Sequence, residues 1–186
     1  MQTILLLMGR IGLVLDRLLS GDVGFGKTEV AMNAMLAVVL DGFQAIFVCP
    51  TTLLATQHYH SLQKRFENFG VRVVKLDGKT SAKEKTSIKK GLENGDIKVV
   101  IGTHSLLDIK TENLALVIID EEHKFGVKQK EKLKHLREDV HILSMSATPI
   151  PRTLNLALSK LKGMSSLLTP PKERLGVRTY VSAYRD

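Results

Sequence analysis

Short runs of aliphatic and β-branched residues recur along this chain, and longer segments of helical periodicity lie between them. The short runs cover residues 45–49, 71–76, 98–101, 114–119 and 142–145. They are rich in Val and Ile and too short for an ordinary helix, so each predicts a β-strand. Residues 28–40 and 53–66 repeat apolar side chains at helical spacing, which predicts amphipathic helices.

Strands that alternate with helices are typical of a parallel sheet whose strands are joined by helical crossovers. Runs that are apolar on both faces indicate a sheet that helices cover on both sides. The pattern therefore predicts the α/β class, as a three-layer α/β/α sandwich with a mostly parallel sheet. We expect residues 1–186 to form one domain, with residues 169–186 leading toward another domain, since Pro170 and Pro171 punctuate that segment.

The composition is typical of a soluble protein with a net positive charge. Of the 186 residues, 44% are hydrophobic and 25% are charged, which is ordinary for a folded soluble domain. The net charge of +8 favours a polyanionic partner, although the basic segments 83–90 and 124–137 alternate with Glu, as solvated helix faces do. The one cysteine, Cys49, lies in an apolar run and predicts a core thiol. The chain lacks a signal-peptide pattern and an apolar run of ~20 residues, so we expect a cytoplasmic protein without a membrane partner.

A glycine-rich segment follows the short apolar run at residues 18–19 and opens the first predicted helix. It fits the pattern G-x-x-x-x-G-K-[ST] with Gly21, Asp22, Val23, Gly24, Phe25, Gly26, Lys27 and Thr28. Glycines let successive N–H groups point at phosphates, and the helix N-terminus adds partial positive charge. The segment predicts an ATP site in which Lys27 contacts the β- and γ-phosphates and the Thr28 hydroxyl ligates Mg²⁺.

The strand at residues 114–119 ends in the acidic sequence Asp120, Glu121, Glu122, and His123 follows. Ligands of parallel sheets bind at the carboxyl ends of strands, so these carboxylates are expected beside the glycine-rich segment. Asp120 then belongs to the Mg²⁺ shell, and Glu121 orients the water that attacks the γ-phosphate. For Glu122, an acidic helix start is a serious alternative. We expect His123 to link the nucleotide site to a neighbouring motif without acting as a base.

A third motif, Ser-Ala-Thr at residues 146–148, closes the last predicted strand. In this order the three motifs resemble motifs I, II and III of the superfamily 2 helicases. The strings at residues 50–58, 101–104, 120–127 and 146–154 more closely resemble the bacterial transcription-repair coupling factors. The fork-rescuing branch-migration helicases share most of these strings but tend to differ where this chain has Thr52 and Glu122. Residues 1–14 match neither family.

The resemblance implies the first of two RecA-like lobes that bind ATP between them and translocate along double-stranded DNA. It also implies RNA polymerase and excision-repair proteins as partners, bound through other domains. By the same resemblance, Thr51, Thr52, Thr103 and His104 contact DNA phosphates, and His123, Ser146 and Thr148 couple the nucleotide and DNA sites. Without the resemblance, the Thr and Ser residues are better explained as helix N-caps.

Two alternatives stay open at this level: the equivalent lobe of a fork-rescuing helicase, and a nucleotide-binding module without motor function. The resemblance places an arginine finger in the second lobe, for which Arg152 and Arg174 are poor substitutes. Removal of such a finger typically costs ~10³–10⁵ in rate. We therefore expect the isolated chain to hydrolyse ATP feebly.

Overall fold

A seven-stranded, wholly parallel sheet forms the centre of the structure, a computed structural model that describes residues 14–109, 111–137, 139–147 and 163–171. The order of strands across the sheet is β3-β4-β2-β5-β6-β1-β7. The strands are β1 (Asp16–Gly21), β2 (Gln44–Val48), β3 (Val73–Leu76), β4 (Val99–Gly102), β5 (Leu114–Asp120), β6 (His141–Ser146) and β7 (Gly163–Leu167).

Helices connect most of these strands. The described α-helices are α1 (Lys27–Leu40), α2 (Thr52–Phe66), α3 (Ala82–Glu93) and α4 (Val127–Leu136). Short 3₁₀ turns follow α2 (Glu67–Phe69), β4 (His104–Asp108) and β5 (Glu122–Lys124). The predicted helices at residues 28–40 and 53–66 are confirmed, and each begins one residue earlier than predicted.

Two apolar cores lie on opposite faces of the sheet. On β2, Phe47 faces the core that contains Met35 of α1 and Leu62 of α2. The next residue, Val48, faces the other core, with Leu92 of α3 and Leu133 of α4. Because successive side chains of a strand point to opposite faces, a strand buried on both sides is apolar throughout. The prediction of a three-layer α/β/α sandwich is therefore confirmed.

Strand β7 was not predicted from the sequence. It pairs in parallel with β1 at one edge of the described sheet, with Arg17 opposite Gly163 and Gly21 opposite Leu167. Its sequence, Gly-Met-Ser-Ser-Leu, mixes apolar and polar residues and only partly buries them. The five strands that were predicted from apolar runs all exist, within about two residues of the predicted bounds.

The register of the sheet brings three strand ends together. Because β5 pairs with β6 and β6 with β1, Asp120 lies opposite Met145, and Ser146 lies opposite Ser20. The glycine-rich segment, the acidic segment and the Ser-Ala segment therefore meet at the carboxyl ends of these strands.

Cys49, which follows β2, is fully buried as predicted, and burial raises the pKa of its thiol. Within the described ranges, no helix is both long and apolar enough to cross a bilayer.

Candidate nucleotide-binding site

The glycine-rich segment forms a loop between the end of β1 at Gly21 and the start of α1 at Lys27. Gly24 and Gly26 have φ values of 78° and 85°, in the left-handed region that favours glycine. A Cβ on Gly26 would meet no atom within 4 Å, so backbone conformation, and not crowding, requires glycine there. Left-handed residues in such a loop are typical of segments that bind anions through backbone N–H groups.

The start of α1 supports anion binding at this loop. Its N-cap, Gly26, makes no side-chain cap hydrogen bond, so the first turn of the helix keeps N–H groups for another acceptor. Lys27 folds back over the loop, and its Nζ donates hydrogen bonds to the carbonyl oxygens of Gly21 at 2.6 Å and Asp22 at 2.9 Å. The ammonium group is thus held at the mouth of the loop, where it fits the predicted contact with phosphates.

Asp120 ends β5 and contacts a histidine that the site prediction did not include. The His58 Nε2 of α2 lies 3.6 Å from the Asp120 Oδ2, and both side chains are largely buried. His58 also lines an open groove of about 630 Å³ together with Thr28. His58 therefore lies beside one predicted Mg²⁺ ligand, Asp120, and lines the same groove as the other, Thr28.

Glu121 is the only described residue other than glycine with a positive φ, at 51°. Its carboxylate accepts hydrogen bonds from the Ala147 N–H at 3.0 Å and from the Ser146 hydroxyl at 3.4 Å. His123 Nδ1 lies 3.1 Å from Glu121 Oε2, and its ring remains about half exposed. The predicted hydrolytic carboxylate, the predicted coupling histidine and the Ser-Ala segment thus meet at one side chain.

Glu122 has a role that neither sequence interpretation included. It opens the 3₁₀ turn after β5, but its carboxylate accepts hydrogen bonds from Arg137 and from the buried Ser144, both at 2.6 Å. Arg137 also lies 3.3 Å, through Nε, from the Asp16 Oδ2 at the start of β1. An ion-pair cluster of Asp16, Arg137, Glu122 and Ser144 therefore connects the acidic segment, the end of α4 and the first residue of β1.

Replacing Arg137 by Met should destabilise the fold, because the carboxylates of Glu122 and Asp16 would lose their shared cation. We expect the free energy of unfolding to fall by about 2 kcal/mol, less than for a fully buried pair because the Arg137 side chain is 26% exposed. Urea denaturation at neutral pH measures this change. The control is Lys132→Met, which removes an exposed ion pair to Asp108 from the same helix and should change little. Equal midpoints for the two variants would contradict the structural role of the cluster.

The predicted DNA-contacting residues follow β2 and β4. Thr51 is the N-cap of α2, and its hydroxyl accepts the Leu54 N–H at 3.3 Å, so the capping alternative describes it correctly. Thr52 begins the helix and is exposed. After β4, Thr103 is only 8% exposed, whereas the adjacent His104 is exposed. Thr148, the third predicted coupling residue, lies outside the described residues, as do Arg152 and Arg174.

Three residues of the site were not predicted from the sequence: His58, Ser144 and Arg137. His58 lies within the string at residues 50–58, so the family resemblance carried a signal for it. Ser144 lay in a run that predicted only a strand, and Arg137 lay in a segment that predicted a solvated face. Their partners are distant along the chain, and periodicity holds no information about such contacts.

A parallel sheet with a glycine-rich loop after β1 and acidic residues after β5 is the arrangement of a P-loop NTPase lobe. The sequence profile of the DEAD/DEAH box helicases matches residues 5–157. The chain belongs to this family, and it is therefore a nucleotide-binding helicase domain.

Individual relatives show which members of the family this chain resembles. The transcription-repair-coupling factor of Helicobacter pylori (strain J99) is 60% identical over 93% of this chain, which corresponds to 17% of the relative's length. The transcription-repair-coupling factor of Escherichia coli (strain K12) is 50% identical over 92% of this chain and 15% of its own length. The predicted resemblance to coupling factors is confirmed, and the chain spans about a sixth of the curated relatives it matches.

A solved structure agrees with the fold. The structure of RecG bound to a three-way DNA junction superposes with a TM-score of 0.74 and 45% identity. It covers 88% of this chain and 22% of the RecG chain. The RecA-like fold of the lobe is thus shared with RecG.

Proposed function

We propose that this chain is the first RecA-like motor lobe of an ATP-driven double-stranded DNA translocase that couples transcription to excision repair. The observation that carries the proposal is the placement of Glu121, whose carboxylate accepts hydrogen bonds from Ser146 and Ala147. A group that orients the attacking water is thereby connected to the segment that resembles motif III. A change in position of the carboxylate then reaches another part of the lobe, as a motor requires.

In this function the chain's residues bind and orient ATP with Mg²⁺. Gly21 to Thr28 surround the phosphates with backbone N–H groups, and Lys27 moves its ammonium group from the loop carbonyls to the β- and γ-phosphates. Thr28 and Asp120 hold the ion, which supplies charge neutralisation at the phosphate oxygens when bound. Glu121 orients a water molecule, and His123, with Ser146, fixes the direction of that carboxylate.

The proposed DNA surface lies along the carboxyl ends of β2 and β4. Thr51 and Thr52 open α2, whose N-terminal N–H groups favour a phosphate, and exposed His104 lies after the neighbouring strand. Thr103, nearly buried, would contribute its backbone more readily than its hydroxyl. Contacts to phosphates position a protein on DNA without reading sequence, which suits a translocase.

The wider assignment rests on the relatives. Identity reaches 60% with a transcription-repair-coupling factor and 45% with RecG, so the coupling function is favoured over fork rescue. In that function a second RecA-like lobe closes over the nucleotide, and RNA polymerase and excision-repair proteins bind to other domains. RecG, solved on a three-way DNA junction, supports the fork-rescuing lobe as the second candidate.

The DNA role is tested by Thr52→Glu, which places a carboxylate at the first turn of α2. A negative charge there is favourable for the helix but repels DNA phosphates, so the fold should persist while affinity for a duplex falls ~10-fold or more. The matched control is Thr86→Glu, the same charge change at an exposed position of α3. Fluorescence anisotropy with a labelled duplex at several salt concentrations measures both variants.

For the wild type, the logarithm of the binding constant should fall linearly with the logarithm of salt concentration. No affinity for the duplex at any salt would instead favour a nucleotide-binding module without a motor function. Equal weakening by the two Glu substitutions would assign binding to overall charge and not to α2.

A further inference from the structure

Helix α2 carries two different kinds of functional residue on one rigid element. Thr51 and Thr52 lie at its N-terminus, where the proposed function places a DNA phosphate. His58 lies seven residues beyond Thr51, about 10 Å further along the helix axis. His58 lies on the side of the helix that faces the sheet, since its ring contacts Phe47 of β2.

His58 is held in place by the sheet. Its ring packs edge-on against Phe47 of β2, with ring centroids 5.1 Å apart and an interplanar angle of 66°. Its side chain is 15% exposed, and its Nε2 lies 3.6 Å from Asp120 Oδ2. This separation is just beyond hydrogen-bond distance, so a small shift of α2 makes or breaks a direct contact.

Helix α2 is anchored in the core along one face. Ala55, Leu62 and Phe66 are fully buried on one face and belong to the core that contains Met35 of α1. A displacement at the N-terminus of a well-packed helix is transmitted along it, because close-packed interiors do not deform continuously. The same groove that Thr28 lines is lined by His58 and by its neighbours Gln57 and Ser61.

We propose that His58 is the positioning residue through which DNA bound at the N-terminus of α2 alters the orientation of Asp120 in the nucleotide site. The inference rests on the proposed function, which assigns Asp120 to the Mg²⁺ shell and Thr51 and Thr52 to DNA. It adds a direct connection between the two sites that does not pass through Glu121 and Ser146. Because coupling of two binding sites is reciprocal, nucleotide at Asp120 changes DNA affinity by the same factor.

The chain offers a matched control on the same helix. His60 lies two residues beyond His58, is exposed, and contacts Tyr59 edge-to-face with ring centroids 5.5 Å apart. Two residues correspond to about 200° around a helix, so His60 faces away from Asp120. A substitution at His60 removes an imidazole from α2 without touching the proposed connection.

The test measures the dissociation constant of a fluorescent ATP analogue with Mg²⁺ on the 186-residue chain, with and without a saturating short DNA duplex at low salt. The ratio of the two constants should be about fivefold or more for the wild type and for His60→Ala. For His58→Ala the ratio should fall to about one, whatever the affinity of each ligand measured alone. His58→Gln, which keeps an amide nitrogen near the place of Nε2, should retain part of the ratio.

A merely structural role for His58 would weaken one ligand or both and leave the ratio unchanged, and that result would overturn the inference. A wild-type ratio of one would overturn it as well. Circular dichroism identifies a variant that has not folded, and His58→Gln then replaces His58→Ala in the comparison. If the wild type binds no duplex or no nucleotide, the proposed function itself fails, which is apparent before any variant is measured.

Discussion

Lys27→Ala should weaken binding of a fluorescent ATP analogue with Mg²⁺ by ~100-fold, the loss expected for charge-assisted hydrogen bonds to phosphate. The Lys27 ammonium lies 2.6 Å and 2.9 Å from the carbonyl oxygens of Gly21 and Asp22, at the mouth of the loop. No other lysine or arginine belongs to the glycine-rich segment, so the substitution removes the only cation of that segment. A titration followed by fluorescence measures the dissociation constant directly.

The control for Lys27 is Lys89→Ala on α3. This lysine is 76% exposed and makes only a distant contact of 3.9 Å to Glu93, so the variant has the same net charge without a loss at the loop. Lys89→Ala should bind the analogue as the wild type does. Similar affinities for the wild type and Lys27→Ala would show that the loop does not hold the phosphates as proposed.

Gly102→Ala should destabilise the protein by ~3 kcal/mol or more, because the added methyl group has no room. Gly102 ends β4 opposite Leu76 of β3, and a Cβ there would lie 1.7 Å from the Leu76 carbonyl oxygen. The obstacle is backbone and cannot rotate away, so β3 and β4 must separate or shift. For a domain of this size the melting temperature should fall by roughly 10 °C.

Thermal unfolding followed by circular dichroism tests this prediction, with Gly78→Ala as the control. Gly78 lies just beyond β3, and a Cβ there would meet no atom within 4 Å. The control variant should melt close to the wild type. A melting temperature for Gly102→Ala within a few degrees of the control would mean that the two strands are less closely spaced than the structure shows.

The contrast between predicted and observed elements follows from what local sequence can encode. Strands such as β5 are buried on both faces, so their continuous apolar sequence predicted them well. Strand β7 lies at the edge of the described sheet, and its Ser165 and Ser166 interrupt the apolar pattern. An edge strand with a mixed sequence has no periodic signal to set it apart from a loop.

The candidate site also combines features that local sequence predicts with features that it does not predict. The glycine-rich motif and the acidic motif are each a continuous stretch of sequence. Parallel topology places both at the carboxyl ends of the strands. The φ of 51° at Glu121 was not predictable, because glutamate rarely adopts that region, and a tertiary arrangement imposes it. The ion pair between Arg137 and Glu122 was not predictable from the sequence either, since it depends on how α4 packs along the sheet.

The buried thiol of Cys49 is a natural probe of local opening in the core. It is the chain's single cysteine, it is fully buried between β2 and the start of α2, and burial raises its pKa so that the reactive thiolate is scarce. A thiol reagent can therefore reach it only when this part of the core opens. Labelling rates measured with nucleotide or DNA present would report the local stability of the segment between β2 and α2. No engineered probe is needed.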